Sequence, residues 1–131
     1  MTIRMTCLAA ILALCPVAAL GFDLPIEISA AQITARSGSR NIFRIEDIHQ
    51  RMQSAINCLV GPAGDGFSAA ANNPCAASGN GVIPDTTDAA KKAKFQEAVD
   101  KLKSGLAVTD RQQALQIALD GADMIVAAAG D

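Results

Sequence analysis

Tryptophan and tyrosine are both absent from the 131 residues, and phenylalanine occurs four times. Sugar clefts and single-strand nucleic-acid grooves are built on aromatic platforms, so the chain has little from which to make either. An antibody-like sandwich, with a buried tryptophan between two sheets, fits the composition equally poorly. Only one histidine is present, and no Cys-x-x-Cys pair. Zinc needs four ligands, a redox dithiol usually couples its thiols through that spacing, and covalent haem attachment needs Cys-x-x-Cys-His. The regular Asp-x-Asp-x-Asp-Gly calcium loop is missing, and so is the glycine-lysine pattern of a phosphate loop. Positive charge is not in excess either: the formal net charge is −2, which argues against nucleic acid or an anionic membrane surface as the main partner.

What is present begins with an export signal. Met1 to Met5 carries one positive charge, Arg4. Cys7 to Leu20 follows without a charged or strongly polar residue. That run of about 14 residues is too short to span a bilayer, which takes about 20. Pro16 breaks a helix near its end, and Ala19-Leu20-Gly21 offers small residues at the positions a signal peptidase reads, with Val17-Ala18-Ala19 as a second such site. The reading is a signal peptide over residues 1–21 and one helical domain over 22–131. It places the protein in the periplasm or outside the cell, with no stable membrane anchor after cleavage. Leu14 before Cys15 and Pro16 after it do not make a lipidation site. Loss of Arg4 lowers Lys plus Arg from 11 to 10 against 13 Asp plus Glu, a net charge of −3.

Cleavage also removes Cys7 and Cys15 and leaves Cys58 and Cys75. A lone pair in an oxidising compartment reads as a disulfide. Its loop of 17 positions would contribute about 3 kcal/mol through the unfolded state.

Hydrophobic spacing then divides the mature chain. Ile26-Glu27-Ile28 alternates like a strand, while Ile26, Ala30 and Ile33 also fit a helical stripe with Pro25 in the first turn. A short helix over about 25–36 is the favoured reading. From Asn41 to Leu59, Ile45, Ile48, Met52, Ala55, Ile56 and Leu59 fall on one face. Ser39 or Asn41 is the expected cap, and Gly61-Pro62 the stop. Residues 61–85 hold five of the ten glycines and three of the five prolines. They show no hydrophobic period and form a long crossover loop that the disulfide pins, with Phe67, Val82 and Ile83 as core anchors. Phe95, Ala98, Val99 and Leu102 mark a helix over 86–104, capped by Asp85 or Thr87 and stopped at Gly105. Glu97 and Lys101 are spaced for an ion pair. Thr109 and Gln112 form a capping-box pattern for the last helix, whose stripe is Leu115, Ala118, Leu119, Ala122, Ile125 and Val126. Gly121 costs about 1 kcal/mol against alanine there unless it admits a close neighbour. The fold class is all-α: a bundle of three to four helices with a glycine- and proline-rich, disulfide-pinned crossover.

Chemistry-bearing residues are few. His49 and Met52, with Met124 on the last helix, are soft ligands suited to copper or an axial haem position. The competing reading is a boundary histidine and a core methionine. Asp65, Asn72, Asn73, Asn80, Asp85 and Asp88 are oxygen ligands, and also ordinary turn residues. The carboxylate pairs Glu46/Asp47 and Asp120/Asp123 lie on polar helix faces. No nucleophile accompanies His49, so no enzyme activity and no cofactor are expected. The function expected is a non-enzymatic exported module that binds a protein partner or a second copy, with Phe67 and Ile83 as candidate contacts. The alternative is a periplasmic small-ligand or metal (copper or haem) carrier.

Overall fold

The computed structural model describes residues 24–37 and 44–130. The expected signal peptide and the expected caps Ser39 and Asn41 lie outside the described residues. Those described form five helices: α1 (Leu24–Ser37), α2 (Ile45–Val60), α3 (Val82–Asp85), α4 (Ala89–Leu106) and α5 (Arg111–Gly130). No strand occurs among them, so Ile26-Glu27-Ile28 is helical.

The four long helices form a ring in the order α1, α2, α4, α5. Neighbours run antiparallel. Ser37 meets Arg51 near one end of the α1–α2 pair, and the Glu27 carbonyl meets Cys58 near the other. Lys101 meets Asp120 midway along α4 and α5, and Lys91 meets Ala129 at the open end of that hairpin. Across the ring the backbone of α2 also comes close to that of α5, whereas the backbones of α1 and α4 stand apart. One diagonal is closed and the other is open.

Composition explains how closely the helices approach. Alanines 31, 35, 98, 114, 118, 122 and 128 are all buried, and small side chains bring helix axes together. Two glycines go further. A Cβ on Gly121 would lie 2.8 Å from Cγ of Leu102, and one on Gly105 would lie 2.7 Å from the Met52 sulfur. Gly121 therefore admits α4, as its mid-helix cost requires. Gly105 does not stop α4 but lies within it, buried against α2, because Met52 needs the space a side chain would fill.

Several local expectations are corrected. The buried residues of α1 are Glu27, Ala31 and Ala35, while Ile26 and Ile33 are 57% and 61% exposed. Two alanines permit closer contact than two isoleucines would, and Glu27 is needed inside as an acceptor. Arg44, not Ser39 or Asn41, is the residue before α2, and it supplies no side-chain cap. Asp88 rather than Asp85 or Thr87 caps α4, accepting from the Lys91 amide at 2.9 Å. Asp110 rather than Thr109 accepts from the Gln113 amide at 2.7 Å and caps α5. Aspartate carries a charge that favours the positive helix end, and threonine does not. Lys101 pairs with Asp120 at 2.9 Å, across the hairpin rather than with Glu97. On α5, Ala114, Gly121 and Ala128 join the buried face, and Val126 leaves it at 44% exposure.

The crossover between α2 and α4 is tied down along its length. Cys58 and Cys75 are disulfide-bonded, with Cα atoms 5.1 Å apart, an ordinary span for such a bridge. Both sulfurs are buried against the Glu27 carbonyl. The expected loop is not wholly irregular: Val82–Asp85 makes one helical turn, with Val82 fully buried.

Candidate functional site

Asn57 and Glu27 are the two buried polar side chains that organise the crossover. Asn57 sits in the last turn of α2 with no exposed surface. Its Nδ2 donates to the carbonyls of Ser68 at 2.8 Å and of Ala71 and Asn72 at 3.2 Å. Its Oδ1 accepts from the Ser68 amide at 2.9 Å and from Gln53 at 3.0 Å. One side chain thus satisfies a curl of backbone that makes no helix or sheet of its own. Glu27 Oε1 accepts from the Gly81 amide at 3.1 Å. Asp85 accepts from the backbone and side-chain nitrogens of Asn80 at 2.9 and 3.0 Å. The Gly79-Asn80-Gly81 turn is held between these two carboxylates.

The candidate ligands have other occupations. Met52 is fully buried, against Gly105. His49 Nε2 lies 3.0 Å from the Val108 carbonyl. A carbonyl can only accept, so Nε2 carries the hydrogen and ties α2 to the α4–α5 link. Asp65 pairs with Lys103 at 2.7 Å, Asn73 accepts from the Cys75 amide at 3.1 Å, and Asp88 caps α4. Among the described residues, no group of three or more His, Cys, Asp or Glu side chains is placed to hold a metal ion. Glu46 pairs with Arg44 at 3.3 Å, Asp120 with Lys101, and Asp123 with Arg36 of α1. Each lies on the exterior. Phe67 and Ile83 are half-buried and pack against the core, as anchors would.

Three of these carboxyls titrate below their ordinary values. Backbone hydrogen bonding at the α2 N-terminus, then Arg44, lowers Glu46. The Lys103 hydrogen bond lowers Asp65. Hydrogen bonds from Gln116 and then Lys101 lower Asp120. A carboxyl depressed in the folded state stabilises it above the unfolded pKa, and the stabilisation is lost as pH falls through the folded value. The unfolded references are 4.5 for Glu and 3.8 for Asp. The melting temperature is therefore expected to fall modestly from pH 5 to pH 2.5. Lys103→Met should flatten part of that fall, which melts of both proteins across the range would check.

A concave feature of another kind lies on the open diagonal. Where the backbones of α1 and α4 stand apart, a groove of about 460 Å³ runs between them, floored by Phe95 and walled on one side by α5. Pro25 and Ile28 line it from α1, and Val126 and Ala129 from α5. Polar lining comes from Ser29, Gln32, Thr86 and Lys91. Thr86 is turned inward, its hydroxyl donating to the Val82 carbonyl at 2.6 Å. The chain matches no protein family model, no curated protein and no solved structure.

No single segment's periodicity could have found this groove, since three helices and the turn before α4 contribute to it. A signal did exist for the face beside it. Ile26 and Ile33 are seven apart and so share a helical face, and the buried face of the same helix can be filled by alanines. Among the described residues, no helix is long and apolar enough to cross a membrane.

Proposed function

We propose that the protein is a non-enzymatic exported module that works by docking the outer face of α1, with the adjoining rim of α5, onto a protein surface. The observation that carries this reading is the exposure of Ile26, Ile33 and Val126, the three large hydrophobic residues left uncovered among those described. Single exposed hydrophobics are ordinary, but Ile26 and Ile33 share one face of α1, the same helix that lines the groove with Pro25 and Ile28, and exposed apolar surface of that kind marks interaction sites. Helix-face recognition through anchors one or two turns apart is a common docking mode. The bonded cysteine pair fits an oxidising compartment, the periplasm or the exterior.

Ile26→Gln with Ile33→Gln tests the reading. Glutamine is a good helix former and both positions are exposed, so stability should change by no more than about 0.5 kcal/mol per site. Association, with itself by sedimentation velocity or with a partner by pull-down from the exported fraction, should weaken at least about ten-fold, the scale set by losing a hot-spot anchor. Unchanged association in a variant that melts like the parent would count against the α1 face.

A second reading, a small-ligand carrier, is favoured by the volume of the groove, which falls in the range of roughly 300–1,000 Å³ usual for ligand pockets. It relies on the groove and not on His49 or Met52, whose contacts are structural.

A further inference from the structure

We infer that the groove between α1, α4 and α5 binds a monoanionic amphiphile, with the apolar tail lying over Phe95 and the carboxylate at Lys91. The inference rests on the carrier reading; Ile26 and Ile33 of the docking face do not line the groove, whereas Val126 belongs to both.

Three observations carry it. The first is the open diagonal: α2 and α5 meet across the ring, while α1 and α4 stand apart. The groove therefore follows the gap that helix packing leaves between α1 and α4. The second is its chemistry. Pro25, Ile28 and Val126 supply apolar walls above the buried Phe95 ring. Such a site takes up a hydrocarbon chain, each buried methylene contributing favourably. The third is charge. Lys91 is the one ionised side chain in the lining. Its ammonium donates to the Ala129 carbonyl at 3.3 Å, which holds it at the groove. An ammonium has three donors, so two remain to meet a carboxylate. Asp88, the nearest acid in sequence, is exposed and directed at the Lys91 backbone amide as a cap. A cationic or neutral head would leave the Lys91 ammonium repelled or unused.

Calorimetric titration of the purified protein with decanoate, decanol and decyltrimethylammonium, all below micelle-forming concentrations, tests the inference. Decanoate should bind saturably at one site, decanol more weakly, and the cation least. Lys91→Met should weaken decanoate about ten-fold, as expected for loss of a charge-assisted hydrogen bond. It should leave decanol unchanged, and Lys91→Arg should retain decanoate. Ser29→Phe, placed to fill the groove from α1, should abolish all binding. Val126→Phe does the same from α5, so that loss of fold in one variant does not decide the matter. Absence of saturable decanoate binding would overturn the inference. So would equal affinity for the cation, or parental binding by either filled variant that keeps the parental melting curve. Decanol binding unaffected by Lys91→Met, but without preference for decanoate, would retain the carrier reading and reject the anionic head.

Discussion

Asn57→Leu is expected to destabilise the protein by about 3–5 kcal/mol, a large effect for a single substitution in a small domain. Leucine matches asparagine in bulk, so no large cavity forms. What is lost is a partner for the Ser68 amide and for the carbonyls of Ser68, Ala71 and Asn72. Each buried polar group left unpaired costs about 1–3 kcal/mol, partly recovered where the loop can open to water. Asn57→Asp separates acceptor from donor. It keeps Oδ1 for the Ser68 amide and Gln53 but sets a carboxylate oxygen against three carbonyls, so it should be no better tolerated. Urea unfolding of the two variants and the parent checks this. A midpoint unchanged in both would mean that the crossover is not built on Asn57.

The second large effect is expected at the crossing of two glycines. Gly61 ends α2 with φ +71°, and Gly81 precedes α3 with φ +115° and ψ 152°. That second conformation is essentially reserved for glycine. The two backbones also touch. A Cβ on Gly81 would lie 2.6 Å from the Gly61 nitrogen and 2.7 Å from its Cα, while one on Gly61 would overlap the Asn80 carbonyl. Neither obstacle is a side chain that can swing away. Gly81→Ala should therefore cost about 2–5 kcal/mol, from backbone strain and overpacking together. It should also loosen the amide that Glu27 accepts. Gly130→Ala, with nothing within 4 Å of the added methyl, should change stability by less than about 0.5 kcal/mol. Thermal melts of the two variants give the contrast.

These positions show what periodicity could and could not reveal. Spacing of Ile45, Ile48, Met52, Ile56 and Leu59, and of Phe95, Ala98, Val99 and Leu102, located α2 and α4 because large side chains repeat on one face. It failed on α1, where alanines and a glutamate are buried and isoleucines are not. A hydrophobic stripe reports burial only when the partner helix has room for large side chains. The caps of α4 and α5 lie one to three residues from the expected positions because threonine and aspartate near a helix start carry the same signal; charge favours Asp88 and Asp110 over the threonines beside them, and Asp85 is taken up by Asn80. The disulfide was legible from the number of cysteines left once the expected signal peptide is set aside. The roles of Asn57 and Glu27 were not, since a buried acceptor is defined by backbone that arrives from 11 to 54 residues away in sequence. Gly105 illustrates the same limit. A glycine near a helix end ordinarily marks a stop, and only the position of Met52 on α2 shows that this one makes room instead.

The proposed docking surface rests on those exposed isoleucines, and site-specific photocrosslinking tests it most directly. A benzophenone amino acid is placed at Ile33 in one sample and at Gln96, exposed on the outer side of α4, in another, and both are irradiated in the exported fraction of the expressing cell. The account predicts a discrete product from position 33, at twice the chain mass for self-assembly or at another defined mass for a partner. It also predicts that Ile26→Gln diminishes the product, and that position 96 gives none. The same product from both positions, or none from position 33 while the protein stays folded, would contradict it.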